Sequence, residues 1–511
     1  MAETGGDGFD QNLVRSGLGK DYVFDEQGIA DSTHYGGFDE EPFSRETRLY
    51  RDSIGQKQPL NGDKLMPGAL PESSKYVVVG GGVHGLSTAW HLAMELEASG
   101  QGSGADVILL DKTAPGAGAS GIACGCVRNL YMTEPLHAII GHSVDVWNYD
   151  PVLFGFQQVG YVSCGEENQI ADYERIHRSQ NSVGYTSDLY VGQEARDFLT
   201  GVWPDFVHHT VDVVLHEHMS GYAGTAQTVT GLTTMCERYG VQIHSRVDVT
   251  GYELENGEVK ALETNQGRIA AEVVFLCVGA WIPTHWEMLG KPMTLDVMYE
   301  DGTTVKDKDM WTYWRLEEGE VYYDGPYYTA DKKNPPVLHI ELMNTPVVDP
   351  QTGEELDDNV YVYWKNGTER MERPGIQGGA MPHELGPRAS VEPYGHANDE
   401  YQAGPQFADY ITACMAMFMK RFEGIRPNFK ERRNGGIGAF TPDNVPVVDW
   451  IMPNVFMIAD SNHGFKMTGI GKLVARQVVG SQSVHELQPF TFDRYAKGEA
   501  FGSGTTHSPW V

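Results

Sequence analysis

The chain of 511 residues holds 70 acidic and 38 basic residues, so its formal net charge at pH 7 is −32. This excess of negative charge argues against nucleic acid and against anionic membrane surfaces as partners. The length allows two domains, and six cysteines are too few for a disulfide framework, which indicates the reducing cytoplasm. The start of the chain lacks the pattern of a signal peptide, and no run of about 18 apolar residues predicts a membrane span.

Residues 1–72 are a polar leader, rich in Gly and Asp and without a periodic apolar pattern. This composition alone is typical of a disordered tail. The leader nevertheless contains many aromatic residues, among them Phe9, Tyr22, Phe24 and Tyr50. Two interpretations therefore stay open: a solvated tail, or an arm that lies along its own globule or along a neighbouring subunit.

A strand, a glycine-rich turn and a helix are predicted in succession around residue 80. Residues 76–79 are β-branched and almost entirely apolar, as in a strand buried on both faces of a parallel sheet. The turn Gly80-x-Gly82-x-x-Gly85 follows and leads into an apolar helix at 86–96. Its glycines permit a tight turn and a close approach of backbone to a pyrophosphate, which the helix N-terminus would bind. The pattern predicts a dinucleotide site.

A second strand, at 107–110, ends in Asp111, which lies 26 residues beyond Gly85. An acidic side chain at this strand end accepts hydrogen bonds from the ribose hydroxyls of a bound dinucleotide. The Gly-rich and Ala-rich stretch from Thr113 to Gly121 follows, and such a loop can press its backbone against a flat ligand.

Later segments predict a second group of parallel strands with helices between them. We expect helices at 135–147 and 225–239, strands at 160–163, 242–249, 259–264 and 272–278, a hairpin turn at Asn256-Gly257, strands at 445–449 and 455–459, and a helix at 469–479.

Residues 282–424 differ in composition from the preceding segments, because they contain many Tyr and Trp residues and stretches such as 360–364 with the residue alternation of a strand. This pattern predicts a substrate-facing antiparallel sheet. Aromatic side chains here could bind a methylated amine by cation–π contact or could equally be core of the sheet. The candidates are Trp311, Trp314, Tyr322, Tyr323, Tyr361 and Trp364.

Two histidine groups, His208-His209 and His216-Glu217-His218, could suggest a metal site. On a strand, His216 and His218 would share one face, but further ligands at a recognisable spacing are missing. We therefore predict no metal.

Four separated stretches together resemble one enzyme family. They are VVVGGGVHGLSTAWHLA, VILLDKTAPGAGASG, AEVVFLCVGAW and GGIGAFTPDNVPVVD followed by NVFMIADSNHGFKMTGIGKLVARQV. In this order they are similar to the FAD-dependent oxidoreductases that include D-amino-acid, glycine, sarcosine and dimethylglycine oxidases and dehydrogenases. The resemblance implies an α/β fold, with a Rossmann-like FAD-binding domain on a parallel sheet and a substrate domain on a mixed or antiparallel sheet.

The resemblance also implies a domain division. Residues 1–72 would be an N-terminal extension. The FAD-binding domain would be discontinuous and comprise 73–160, 225–285 and 425–511, and the substrate domain would comprise 161–224 and 286–424.

The cofactor that the resemblance implies is FAD. The expected FAD-binding residues are Gly80, Gly82, Val83, His84, Gly85, Asp111, Lys112, Ala119, Ser120, Val249, Gly279, Gly436, His463, Gly464, Phe465 and Lys466. Relatives link the flavin to a histidine or a cysteine at positions where this chain has Ala123 and Gly436, so non-covalent FAD is predicted. Cys124 and Cys126 keep a covalent link open as the alternative.

For catalysis, the resemblance implies hydride transfer from the carbon next to a substrate nitrogen to flavin N5, followed by imine hydrolysis. Lys466 would bind a substrate carboxylate, and Arg128 would lie over the flavin face. Tyr131 stands where sarcosine-oxidase-like members have a second arginine, which puts sarcosine itself in doubt. The amine must be neutral to react, so the site should disfavour its ammonium form through desolvation or positive charge.

The first functional expectation is an FAD enzyme that oxidises a secondary or tertiary amine, an N-alkyl amino acid, with O2 or a redox protein or quinone as electron acceptor. One alternative is a primary-amine oxidase of the D-amino-acid or glycine type. The other is a non-catalytic, FAD-holding subunit or assembly factor that acts through protein partners.

Overall fold

The computed structural model describes residues 69–502 except 208–209, 326, 368–370, 372, 396–397, 431–434 and 481–482. Most of the leader, and with it the choice between arm and tail, therefore lies outside the described residues, as do His208 and His209.

The described strands in chain order are β1 Ser73–Val79, β2 Val107–Asp111, β3 Cys126–Val127, β4 Phe156–Gln157, β5 Tyr161–Gly165, β6 Ser187–Val191, β7 Val213–Glu217, β8 Gly221–Ala223, β9 Gln242–Ser245, β10 Val249–Glu255, β11 Glu258–Thr264, β12 Gly267–Leu276 and β13 Thr294–Met298. They continue with β14 Thr304–Asp309, β15 Thr312–Leu316, β16 Glu318–Tyr322, β17 Val337–Leu342, β18 Val347–Val348, β19 Glu355–Asp357, β20 Val360–Asn366, β21 Gly375–Ala380, β22 His383–Gly386, β23 Gly436–Phe440, β24 Val447–Met452 and β25 Val455–Ala459.

The α-helices are α1 Val83–Ser99, α2 Ala119–Ile122, α3 Glu134–Tyr149, α4 Pro151–Phe154, α5 Ile170–Ser182, α6 Gln193–Val202, α7 Thr225–Arg238, α8 Ile282–Met288, α9 Pro405–Phe418, α10 Ile470–Val478 and α11 Arg494–Lys497. Short 3-10 helices cover Gly104–Asp106, Glu167–Gln169, Gly279–Trp281, Asp399–Tyr401, Lys420–Phe422, Arg426–Asn428 and His485–Phe490.

The first large sheet is built around β1. Its order is β10-β11-β12-β1-β2-β9, and β25 joins it beside β12 and carries β24. β1 runs parallel to both β2 and β12, so its apolar run is buried on both faces. Tyr76 and Val78 pack into the core beneath α1, whereas Val77 and Val79 pack into the core on the opposite face.

Helices α1 and α10 cross closely over this sheet, because Gly471 offers no side chain at the contact. A Cβ at Gly471 would lie 2.5 Å from the Ser87 carbonyl carbon in α1. The Ser87 hydroxyl also donates to the Thr468 carbonyl. This crossing fixes the segment just before α10 next to the glycine turn that precedes α1.

The predicted single strand at 242–249 is wrong, because the structure has two strands there. Gln242–Ser245 pairs in parallel with β2, and Val249 begins an antiparallel hairpin with β11. Arg246, with φ of 63°, turns the chain between them. The hairpin turn itself is as predicted, since Asn256 and Gly257 both have positive φ.

The second large sheet has the order β16-β21-β20-β17-β5-β7-β6. β17 and β5 are parallel and the other pairs are antiparallel, so the sheet is mixed. One face packs on α6 and α9 through alternate residues such as Val162, Ile340 and Val362. The opposite face carries mainly polar and aromatic side chains. The expected fold class is confirmed, whereas the domain boundaries stay a prediction.

None of the six cysteines, which all lie within the described ranges, forms a disulfide. Among the helices described, none combines the length and the apolar character needed to cross a membrane.

Candidate functional site

A cavity of about 430 Å³ extends from the C-terminal ends of β1, β2 and β12 to the polar face of the second sheet. Ligands bind at this edge of a parallel sheet in open α/β folds. The cavity therefore has two ends, one formed by the glycine turn and one formed by side chains from both sheets.

The glycine turn at the first end has no room for side chains. Gly80 has φ of 102°, which favours glycine, and a Cβ there would lie 2.3 Å from the Cys277 carbonyl oxygen. A Cβ at Gly85 would lie 1.8 Å from the Gly80 carbonyl oxygen. Gly82 lines the cavity, so its backbone is open to a ligand. A side chain at Gly80 or Gly85 would therefore clash with backbone, and Gly82 faces the cavity, whereas Gly85 lies behind the cavity wall. The predicted contact of this turn with a pyrophosphate stays a prediction.

Gly85→Ala should unfold the turn and lose FAD, because the new methyl group meets backbone that cannot move aside. Overpacking of this kind costs about 1–3 kcal/mol or more. Thermal unfolding and bound-FAD absorbance measure the effect. The matched control is Gly141→Ala in α3, where nothing lies within 4 Å of the new Cβ. Equal stability of the two variants would contradict the role of Gly85.

Asp111 fixes the loop that faces the glycine turn. Its Oδ2 accepts a hydrogen bond from the Gly81 amide at 2.8 Å, and its Oδ1 accepts one from the Thr113 amide at 2.8 Å. The carboxylate also lines the cavity. Its predicted contact with ribose hydroxyls stays a prediction, and the structure adds a second task, which is to hold Gly81 in place.

Neighbouring residues continue the wall at this end. Lys112 pairs with Glu392, and its ammonium lies 4.9 Å from the Trp281 ring centroid. The Ser120 hydroxyl accepts a hydrogen bond from the Val83 amide at 3.1 Å, at the start of α1. Ala119, Val249 and Gly279 line the same cavity. Val249 is the first residue of β10, which begins after the chain turns at Arg246.

The segment before α10 forms the floor of the second end. Gly464, Phe465 and Lys466 line the cavity, whereas His463 lies behind them. His463 Nδ1 contacts the Asp460 carbonyl at 2.6 Å, and burial lowers its pKa to about 3. His84 Nε2 meets Asp460 Oδ2 at 3.0 Å, which ties this segment to α1.

Lys466 is half-buried and lines the cavity. Its Nζ donates to the Asn462 carbonyl at 3.3 Å. Burial, and to a smaller extent the neighbouring positive charge of Arg128, lower the pKa of Lys466 to about 8. The predicted binding of a substrate carboxylate by this lysine stays a prediction.

Arg128 lines the cavity beside Lys466, and Tyr131 supports it from behind. The Arg128 guanidinium lies 4.4 Å from the Tyr131 ring centroid, and that ring packs on His463 at 4.7 Å. Tyr131 does not reach the cavity wall. The structure therefore brings the three predicted catalytic residues together but places only Lys466 and Arg128 at the cavity.

Glu217 positions the arginine loop and was missed by the sequence analysis, which considered it only as part of a histidine group. Its carboxylate accepts hydrogen bonds from the Asn129 amide at 2.8 Å and from Gln180 Nε2 at 2.8 Å. Burial raises the pKa of Glu217. No local pattern could indicate this role, because Glu217 and Asn129 are far apart in sequence.

The wall opposite Lys466 comes from the second sheet. Tyr161, Tyr361, Tyr363 and Glu318 line it, and the Tyr363 hydroxyl donates to Glu318 Oε1 at 3.0 Å. Among the aromatic candidates only Tyr361 lines the cavity, while Trp311 and Trp364 belong to the core. Tyr361 and Tyr363 are two residues apart on β20 and therefore point to the same face of the sheet. This alternation could have predicted that Tyr363 lines the site together with Tyr361.

The histidine pair at the end of β7 has a neighbour that the sequence did not indicate. Asp188, His216 and His218 place their ligand atoms within 4.8 Å of one another. His218 Nε2 meets Asp188 Oδ2 at 2.9 Å, and burial lowers the pKa of His216 to about 3. Asp188 lies on the edge strand β6, His216 lies on its neighbour β7 and His218 directly follows β7, and none of the three lines the cavity.

The two cysteines that keep a covalent flavin link open, Cys124 and Cys126, both line the cavity. Cys126 is buried, and burial raises its pKa to about 11, so it is a neutral thiol near pH 7. Gly436, at the start of β23, has no side chain to offer. The glycine cradle, the Asp111 carboxylate and the buried cation at the far end fit the two halves of FAD.

Comparison with known proteins agrees with this geometry. The profile of the family described as FAD dependent oxidoreductase (DAO) matches residues 75–477. The mouse mitochondrial pyruvate dehydrogenase phosphatase regulatory subunit is 22% identical over 299 residues, or 54% of this chain and 32% of that protein. Mouse mitochondrial sarcosine dehydrogenase is 23% identical over 298 residues, or 53% of this chain and 31% of that protein. The chain thus matches only about a third of the length of these relatives.

Among solved structures, L-proline dehydrogenase from P. horikoshii shares the fold with a TM-score of 0.64 and 20% identity, over 84% of this chain and 99% of that chain. The family profile covers well over half of the sequence and includes all four stretches that carry the resemblance. The chain therefore belongs to the DAO family of FAD-dependent oxidoreductases, and FAD is its cofactor.

Proposed function

We propose that the protein oxidises a secondary or tertiary amine, specifically an N-alkyl amino acid such as an N-methyl amino acid. The observation that carries this proposal is the pair of cations, the buried Arg128 and the half-buried Lys466, at the end of the cavity that tyrosines enclose. Two cations in a dry, aromatic site suit a small carboxylate with an apolar body. The sarcosine dehydrogenase relative supports the same substrate class.

FAD, when bound, supplies the acceptor for the hydride that leaves the carbon next to the substrate nitrogen. Lys466 and Arg128 hold the substrate carboxylate and so orient that carbon. Their positive charges also lower the pKa of the substrate amine and favour its neutral, reactive form. Tyr161 and Tyr361 narrow the site and exclude water while the substrate is bound.

We expect FAD to be held without a covalent bond, because Ala123 and Gly436 offer no linking atom and the Cys126 thiol is neutral. Acid precipitation of the purified protein should release all yellow colour into the supernatant. Colour that stays with the pellet would contradict this expectation and direct attention to Cys124 or Cys126.

A second candidate function is that of a subunit that holds FAD and acts through protein partners. The pyruvate dehydrogenase phosphatase regulatory subunit favours it, since that relative bears the name of a regulatory protein.

Oxidation of a primary amine, as in D-amino-acid or glycine oxidases, would use the same carboxylate site and would differ only in the substrate nitrogen, which carries no alkyl group. We also propose a cytoplasmic location and O2, a redox protein or a quinone as the electron acceptor.

The deciding experiment mixes the yellow protein anaerobically with N-methyl and primary amino acids and follows the flavin absorbance. Bleaching by N-methyl compounds is expected, because only oxidation of the amine delivers electrons to the flavin. Preference for primary amino acids would select the glycine-oxidase type. If no amine bleaches a protein that retains FAD, the proposed reaction is wrong and the subunit function gains support. Admitting air afterwards distinguishes an oxidase from a dehydrogenase.

A further inference from the structure

Three polar side chains lie buried beneath the tyrosine wall and lack hydrogen-bond partners among the described residues. They are Ser163, His339 and Glu341, which are 0%, 1% and 3% exposed. The unpartnered atoms are Ser163 Oγ, both ring nitrogens of His339 and Glu341 Oε1. Buried polar atoms are nearly always hydrogen-bonded in folded proteins, and each one left unpaired costs about 1–3 kcal/mol. Several together, in one place, point to a missing partner.

The strand register places these side chains on one face of the second sheet. His339 is directly opposite Ser163 on β5, and Glu341 is directly opposite Tyr361 on β20. Residues two apart on a strand point to the same face, so His339 and Glu341 lie next to each other on β17. The intervening Ile340 packs into the core on the other face.

This polar group adjoins the candidate substrate site. The His339 ring centroid lies 6.0 Å from that of Tyr161 and 5.1 Å from that of Tyr361, edge-on in both cases. Both tyrosines line the cavity. Ser163, His339 and Glu341 lie behind these tyrosines and do not themselves line the cavity, so a substrate group reaches them only when the two rings move apart.

The charges around the group indicate what it can bind. Burial lowers the pKa of His339 well below its usual range, so the neutral ring offers one donor and one acceptor. Burial raises the pKa of Glu341 to about 7, and Arg128 lies close enough to oppose that rise. Arg128 disfavours a cationic ligand here and Glu341 disfavours an anionic one. A neutral group that donates and accepts hydrogen bonds satisfies both.

We propose that His339, Glu341 and Ser163 form a specificity subsite that binds a hydroxyl or amide side chain of the amino-acid substrate. This inference rests on the proposed function and narrows its substrate class from any N-alkyl amino acid to those with a neutral hydrogen-bonding side chain. An apolar side chain of the same size would leave the three polar residues unpaired, and such a mismatch discriminates more strongly than size does.

Matched pairs of substrates test the subsite, because the members of each pair differ in hydrogen bonding and hardly in shape. We suggest N-methylserine with N-methyl-α-aminobutyrate, N-methylhomoserine with N-methylnorvaline, and N-methylasparagine with N-methylleucine. For each pair, the rate constant of anaerobic bleaching and the Kd from flavin absorbance are measured. At least one pair should favour the polar member by about tenfold or more.

The variants show whether the preference comes from this subsite. His339→Leu should bring the ratio within that pair close to one, whereas His339→Gln should keep part of the preference. Ile340→Val, on the opposite face of the same strand, should leave the ratio unchanged. If His339→Leu does not fold, the wild-type ratios and His339→Gln still decide the matter.

The outcomes separate the subsite from the proposed reaction. Bleaching by both members of every pair at equal rates, or a preference that persists in His339→Leu, overturns the subsite and leaves amine oxidation standing. Tighter binding of the polar members without any bleaching supports the subsite and overturns the reaction. Failure of all six compounds both to bind and to bleach overturns both.

Discussion

Lys466→Met is expected to raise the KM for a carboxylated amine by about thirtyfold or more, while FAD stays bound. Removing one partner of a buried, hydrogen-bonded charge pair costs about 2–5 kcal/mol, and 2 kcal/mol corresponds to about thirtyfold. Lys466 is the half-buried cation on the cavity floor, so the lost free energy should appear in binding of the carboxylate. Steady-state kinetics with the best amine from the anaerobic panel measure it.

The same lysine should make carboxylate binding depend on pH. Its pKa of about 8 means that the ammonium form dominates below pH 8 and is lost as the pH rises above it. The Kd of tert-butylacetate, which has a carboxylate but no amine to titrate, should be flat between pH 6.5 and 7.5. Above pH 8 it should rise by up to about tenfold per pH unit. Lys466→Met should remove this rise.

The matched control is Lys472→Met in α10, because Lys472 pairs with Asp145 at 2.8 Å and lies outside the cavity. Its KM and its pH profile should stay close to those of the wild-type protein. An unchanged KM in Lys466→Met, or an equal rise in Lys472→Met, would remove Lys466 from the substrate site.

Arg494→Met should destabilise the protein by about 3–5 kcal/mol, the largest single effect on stability that we expect. Arg494 is 1% exposed and donates from Nε and Nη2 to the two carboxylate oxygens of Asp443 at 2.8 Å. It also donates to the Val445 carbonyl at 2.9 Å. Its removal leaves the Asp443 charge buried without its partner. The midpoint of urea unfolding measures the loss.

Arg268→Met is the matched control for Arg494, because Arg268 also makes a two-point contact, with Glu253 at 2.7 Å, but on the surface. Exposed ion pairs contribute about 0–1 kcal/mol, so the control should unfold near the wild-type midpoint. Equal midpoints for both arginine variants would show that the ion pair of Arg494 with Asp443 contributes no more to stability than a surface ion pair.

Because Asp443 follows β23, which lines the cavity, Arg494→Met should also weaken FAD binding.

The first end of the cavity could be predicted from the sequence, since its parts are local. Gly80 and Gly82 lie in the turn between β1 and α1, and Gly85 lies in the first turn of α1, so the spacing of the motif indicates where backbone packs closely. Asp111 follows a strand that was predicted from its apolar run. Only the double role of Asp111, as partner of the Gly81 amide, needed the folded chain.

The second end could be predicted only in part. The resemblance indicated Lys466, Arg128 and Tyr131, but Tyr131 proved to support Arg128 from behind the cavity wall. Nothing local indicated that Glu217 holds the loop of Arg128, or that Asp188 joins the two histidines at the end of β7. These contacts join segments that are far apart in sequence, and a one-dimensional pattern does not record such pairings.

The family, the cofactor and the glycine turn could be recognised from sequence motifs, because the spacing of these short motifs is set by backbone geometry. The interruption at Arg246, the tyrosine wall and the buried polar group around His339 could be recognised only in the folded chain. The physical reason is that strand pairing in the mixed sheet brings β5, β17 and β20 side by side. Which face of each strand meets the cavity then depends on that register, and not on any single strand's sequence.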